Sequence, residues 1–178
     1  LGKPTDALWP AEIDLAFPGS DVIDVTGRLQ PPFAWALRLV SSRGGWRVDR
    51  GALRAGPGEA RMPQRRGVEI SGHVADLRLA DWLALGQGGD GRTFRETYRD
   101  MALQLDRLTV AGQLFRDVSA TARRSEDSWL VAVRSPNAEG SIVLPFDTGA
   151  RPLRLDMKRL WLLESESGGG EPTDPRDL

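Results

Sequence analysis

The stretch "VEISGHV", Val68–Val74, decides how this sequence is read. Val68, Ile70 and Val74 recur with period two, the signature of a strand with one apolar face, yet Gly72 stands where another side chain should pack. Glycine weakens a strand and marks a bulge, a bend or a close approach of backbone. The arrangement recurs as "VTGRL" from Val25, "VAGQL" from Val110 and, more loosely, "AEGSI" from Ala138. A strongly curved sheet uses such glycines to bend without crowding its inner face, and that is the reading adopted for them.

Working outward, the same alternation marks Glu12–Phe17, Val22–Leu29, Phe33–Val40, Trp46–Arg54, Val68–Val74, Ala102–Val110, Phe115–Ala122, Ser128–Arg134, Gly140–Leu144 and Leu153–Leu163. In "FAWALRLV", Phe33, Trp35, Leu37 and Leu39 oppose a lighter face of Ala34, Ala36, Arg38 and Val40. Turn signals separate the segments at spacings suited to hairpins: "FPGS", "QPP", "SRGG", "AGPG", "RSPN" and "PFDTG". The fold class is therefore mainly β, an antiparallel meander forming a strongly curved, open, groove-like sheet. Short helices are expected at "LADWLAL", Leu79–Leu85, and at "GRTFRETYRDM", Gly91–Met101. Residues 1–164 read as one sheet segment, and residues 165–178, rich in Gly, Pro and acids, as a flexible tail. A second repetition links "LQLDRLTV" from Leu103 with "LRLDMKRLWL" from Leu153, both leucine alternations broken by charges and then resumed.

The totals narrow the function. A chain of 178 residues is long enough for one domain or one slice of a larger protein, and its 20 glycines and 12 prolines favour many turns over long helices. A formal net charge of −1 argues against nucleic acid, which demands a concentrated basic surface. With no cysteine there is no disulfide framework, thiolate metal site or cysteine nucleophile. The first residues lack an initiator Met and an apolar leader, and no segment approaches the ~20 apolar residues of a membrane span. The expectation is an excised piece whose anchor lies elsewhere.

Catalytic and metal chemistry find little purchase. His73 is the only histidine, and by alternation it faces away from Ile70 and Val74, a polar-face position more than a general base. Carboxylates in "EDS" and "ESES" lack ligand spacing, so no metal or cofactor is implied. There is no nucleophile elbow or phosphate loop; "GQGGDG" from Gly86 lacks the following lysine. A dispersed carboxylate pair, as in a glycosidase, has no supporting feature. The six tryptophans are expected to anchor strand ends in a core. Ten half-apolar strands admit two solutions: a closed β-sandwich serving as a scaffold or interaction module, or an open sheet whose apolar face takes a guest.

The run "WRVDRGALRAGPGEARMPQRRGVEISGHVADLRLADWLAL" resembles a block of the YhdP family of AsmA-like envelope proteins: a Trp-led strand, a Pro-bounded loop, a "GxxISGxV" strand and "LxLxDW". The later "LDRLTVAGQLFRDVSATARRSEDSWLVAVRSPNAEGSIVLP" is similar to the block that follows there, with "GxxFxDV", a Trp-led strand and "AEGxIxLP". The resemblance implies a non-catalytic slice of a periplasmic β-groove that conducts phospholipid between inner and outer membranes. It also implies an N-terminal inner-membrane anchor outside this chain and neighbouring β-segments covering its open edges. In such a groove the acyl chains would meet Phe33, Trp35, Leu37, Leu39, Val68, Ile70, Leu103, Leu105, Val131, Val133, Ile142, Leu144, Leu153 and Leu155.

Overall fold

The computed structural model describes residues 10–30, 32–81, 97–146 and 151–162. Ten strands form one sheet in chain order: β1 (Ala11–Gly19), β2 (Val22–Leu29), β3 (Phe33–Ser42), β4 (Gly45–Ala55), β5 (Gly67–Arg78), β6 (Tyr98–Val110), β7 (Gln113–Arg124), β8 (Ser128–Arg134), β9 (Ala138–Pro145) and β10 (Arg154–Leu160). Every strand read from alternation is present, and β1 and β10 are the two free edges, so the sheet does not close.

Two joints depart from a meander. β4 pairs with β5, and β5 with β6, in parallel. "AGPG" looked like a hairpin turn, but the chain runs on from Gly56 to Arg66 before re-entering the sheet, the length of a crossover connection. That connection lies across one face, held by Arg54 Nε donating to the Pro57 carbonyl at 2.9 Å and Arg50 to that of Gln64 at 3.0 Å. Beneath it sit Ala34, Ala36 and Ala52, all buried; the light face of "FAWAL" is small because a chain segment crosses near it. The first expected helix is helical at residues 79–81, and the rest of it, residues 82–85, lies outside the described residues. The second is described only from Thr97, which is helical, residues 91–96 lying outside the described residues; its last four residues, Tyr98–Met101, belong instead to β6, pairing with β5 from Val68 onwards. The expected tail lies outside the described residues.

Register assigns the faces. Across β1–β2–β3–β4–β5, Leu15 stands opposite Val25, Val25 opposite Leu37, Leu37 opposite Gly51 and Gly51 opposite Val68. Across β5–β10 the row Ile70, Met101, Ala122, Val131, Ile142, Leu155 continues on that face. The other face carries opposite charges on facing residues: Glu12–Arg28, Asp24–Arg38, Asp76–Arg107, Asp100–Arg123 and Arg134–Glu139. A one-residue slip would exchange the two sets, so the ion pairs and the apolar rows specify the same register.

The alternation changes phase at defined places. Asp49, Arg99 and Lys158 are extra residues in their ladders, at the register shifts between β3 and β4, β5 and β6, and β9 and β10. On β6 the ladder skips Asp106 opposite Asp117, which has φ 51°. Beyond that point Leu108 and Phe115, not their neighbours Arg107 and Arg116, pack against the core of Leu103, Leu105 and Val118. The charged breaks in both repeated leucine runs are thus the places where the strand turns over to keep its apolar residues on one side.

Glycines on the apolar face occupy close approaches. A Cβ on Gly27 would overlap the Trp35 ring, one on Gly51 the Leu37 side chain, and one on Gly140 the Met157 sulfur. Gly72, at φ 124°, leaves no room for a Cβ beside the Ala55 carbonyl oxygen, where β4 is about to leave the sheet. Gly112 is different: with Ala111 at φ 49° and itself at φ 79°, it makes the two-residue β6–β7 turn, so "VAGQL" is a hairpin tip and not a strand motif.

Two outcomes follow. Gly72→Ala should cost about 2–4 kcal/mol in urea unfolding, from a strained φ plus a backbone clash, whereas Gly44→Ala, with open space around it, should stay within ~0.5 kcal/mol; equal effects would refute the close approach. Arg38 hydrogen bonds hold the Asp24 carboxyl below its ordinary range. Its contribution is present above the unfolded value of ~3.9 and lost as pH falls through the lower folded one. Asp24→Asn should therefore be less stable than the parent at neutral pH, with the gap closing below about pH 4; a gap independent of pH would contradict the pairing.

Candidate functional site

The apolar face is the candidate site because large apolar side chains remain uncovered there. Ile13 and Leu15 on β1 are 59% and 58% exposed, and Leu155 on β10 is 53% exposed. Val118 is the one large side chain that is fully buried among the described residues. The side chains packed around Leu103, Leu105 and Val118, such as Ile70, Val74 and Val133, come from β5–β8, so packing is lateral, between neighbours on one sheet. A sandwich buries its two inner faces against each other; this sheet has one apolar face and no second sheet among the described residues to cover it.

Thirteen of the fourteen residues expected to line a groove stand on this face by register, and Leu153 immediately precedes β10, outside its ladder. They fall into three groups. Val68, Leu103 and Leu105 are buried and build the floor that holds β5–β7 together. Trp35, Leu37, Leu39, Ile70, Val131, Val133, Ile142 and Leu144 are half-buried, while Phe33, Leu153 and Leu155 are exposed. Sequence reasoning left out Ile13, Leu15, Val25, Leu53 and Val118, although their alternation was visible. Tyr98 joins the face opposite Val68, and burial pushes its hydroxyl pKa up.

The tryptophans split. Trp35 lies over Gly27 and beside Phe33, with ring centroids 6.1 Å apart, and Trp129 meets Phe146 edge-on at 6.4 Å. Trp46 and Trp161 are instead exposed, at 50% and 65%, which corrects the expectation that they anchor the core. Trp9 and Trp82 lie outside the described residues.

The opposite face is mostly polar, although Leu114 and Leu130 stand exposed on it. His73 Nε2 lies 2.6 Å from Asp106 Oδ1, both side chains more than half exposed. A concavity of about 1040 Å³ opens on that side, lined in part by Arg54, Glu59, Arg61, Glu69 and Arg123. Among the described residues no group of three His, Cys, Asp or Glu could hold a metal ion, and no helix is long and apolar enough to cross a membrane.

Floor and open positions should respond differently to charge. Leu105→Asp, at a residue only 3% exposed, should lose about 3–5 kcal/mol or fail to fold. Leu155→Asp should change stability by less than about 1 kcal/mol; equal losses in chemical unfolding would mean that the β10 end of the face is covered.

No curated protein and no solved structure matches the chain. A family model described as YhdP protein matches residues 1–177. That match spans the whole sheet, includes both blocks of motifs, and assigns the chain to the YhdP family of AsmA-like envelope proteins.

Proposed function

We propose that this chain is a non-catalytic segment of a periplasmic groove that conducts phospholipid between the inner and outer membranes, its acyl chains lying on the apolar face. The observation behind this reading is the continuity of that face: each of the ten strands contributes apolar side chains to it, in register, with many of them half-open to solvent. Ten strands at ~4.8 Å occupy roughly 48 Å. Exposing a sixteen-carbon acyl chain to water costs on the order of 12 kcal/mol at ~0.8 kcal/mol per CH₂. A conduit must therefore offer apolar surface without a gap, and a face interrupted at any strand would reinstate much of that barrier.

The charged face supports the same assignment by contrast. Its facing ion pairs keep it in water and leave the apolar side as the one available to a hydrocarbon guest. Membership of the family supports an envelope location, with the anchor supplied by another part of the full-length protein. The free edges β1 and β10 suit pairing with adjoining β-segments of that protein.

Neighbouring positions on β8 and β9 provide the test. In the full-length protein, a photoreactive benzoylphenylalanine replacing Val131 or Ile142 should crosslink phospholipid in cells. The same group at Ala132 or Ser141, one residue away on the charged face, should not. Equal labelling from both faces, or none from either, would defeat the proposal.

A further inference from the structure

The apolar face carries a cation at one rim. Setting aside the bulge residues, Arg124 at the end of β7 is the one charged side chain among the described residues that register places on this face. It stands opposite Trp129, two residues beyond the Ala122–Val131 pair. Its guanidinium lies over the Phe146 ring, 5.7 Å from the centroid, and Phe146 in turn meets Trp129 edge-on. Tyr98 begins β6 at the same rim and on the same face. All four side chains are half-buried.

Alternation along β7 puts Val118, Ala120 and Ala122 on this side, so the next position would ordinarily be apolar as well. Withdrawing a guanidinium from water is costly, and an aromatic face beneath it offsets part of that cost. The acids nearby in the fold are accounted for. Asp100 lies on the charged face with Arg123; in the β7–β8 turn Asp127 is engaged by Arg151, and Glu126 is exposed and forms no ion pair. At the other ends of the strands the same face finishes in Leu29, Phe33, Ala55, Val110, Gln113 and Leu160, none of them cationic.

We propose that Arg124 binds the phosphate of a phospholipid headgroup whose tails lie on the apolar face. This rests on the lipid-conducting reading and adds to it a polarity: headgroup at the β7–β8 rim, tails running from there over Val131 and Ile142. A guanidinium offers five N–H donors in a planar fork, which suits phosphate oxygens through paired charge-assisted hydrogen bonds while its plane stays against a ring. Indole and phenol groups, each with an apolar body and a polar tip, belong at the boundary between hydrocarbon and headgroup.

The experiment uses full-length protein carrying the photoreactive group at Ile142, offered vesicles containing phosphatidylglycerol and diacylglycerol in equal amounts. The parent should label phosphatidylglycerol in preference to diacylglycerol. Arg124→Gln should cut that preference about threefold or more while leaving diacylglycerol labelling intact. Arg123→Gln, one residue away on the charged face, should leave the ratio unchanged. Should Arg124→Gln fail to fold, Arg124→Met keeps an unbranched stem beside Phe146 and is read in the same way. An unchanged ratio at Arg124, or an equal fall at Arg123, overturns the headgroup site and leaves the groove standing; absence of any labelling in the parent overturns both. Inorganic phosphate alone distinguishes the remaining source. If it stabilises the parent but not the Arg124 variant, with the lipid ratio unchanged, Arg124 holds the free ion and the headgroup assignment is wrong.

Discussion

The structure depends on one constraint, the period of two in an extended chain. Because successive side chains point to opposite faces, a strand can be apolar on one side and charged on the other only if its neighbours are held in the matching register. This chain enforces that register twice. Apolar rows such as Leu15, Val25, Leu37 and Val68 run across the strands on one side. On the other, Asp24 faces Arg38 and Asp100 faces Arg123. Each exposed pair contributes little stability alone, but together they penalise any slip that would bury charge and expose leucine.

Keeping one face apolar over strands as long as β5–β7 requires corrections. A regular strand twists, and its apolar row drifts away from that of its neighbours. Extra residues at Asp49, Arg99 and Lys158, and the positive φ at Asp117, reset the phase. The face-side glycines solve a related problem: Trp35, Leu37 and Met157 each lean over a glycine on the next strand, filling the face where another side chain would crowd it. The crossover after β4 covers the polar side of β3 and β4 and leaves the apolar side open.

An open apolar sheet face is an unsatisfied surface. Isolated exposed leucines are ordinary, but a contiguous apolar patch on a soluble protein marks an interaction site. Under the proposed lipid-conducting function, a continuous face gives that surface a use that no single residue dominates. Buried residues such as Leu105 and Val118 hold the strands together, while half-open ones such as Val131 and Ile142 are free to meet a guest. The same alternation thus supplies both the core and the proposed path.

Much of the fold was legible in the sequence because alternation is a local property: all ten strands and the apolar side of each could be read from residue order. The broken leucine runs also carried the phase changes, although their meaning emerged only beside the neighbouring ladders. Strand direction was not legible, since a Pro/Gly-rich stretch can close a hairpin or begin a crossover, and β5 runs parallel to β4 and β6 because of contacts formed far along the chain. Burial was not legible either: Leu105 and Leu155 occupy equivalent places in alternating runs, yet one is enclosed by side chains from adjacent strands and the other lies at an edge. The sequence determined which side of each strand is apolar, because backbone geometry alone fixes that. Tertiary structure decided which of those side chains became core and which remained open, because burial depends on what the neighbouring strands bring alongside.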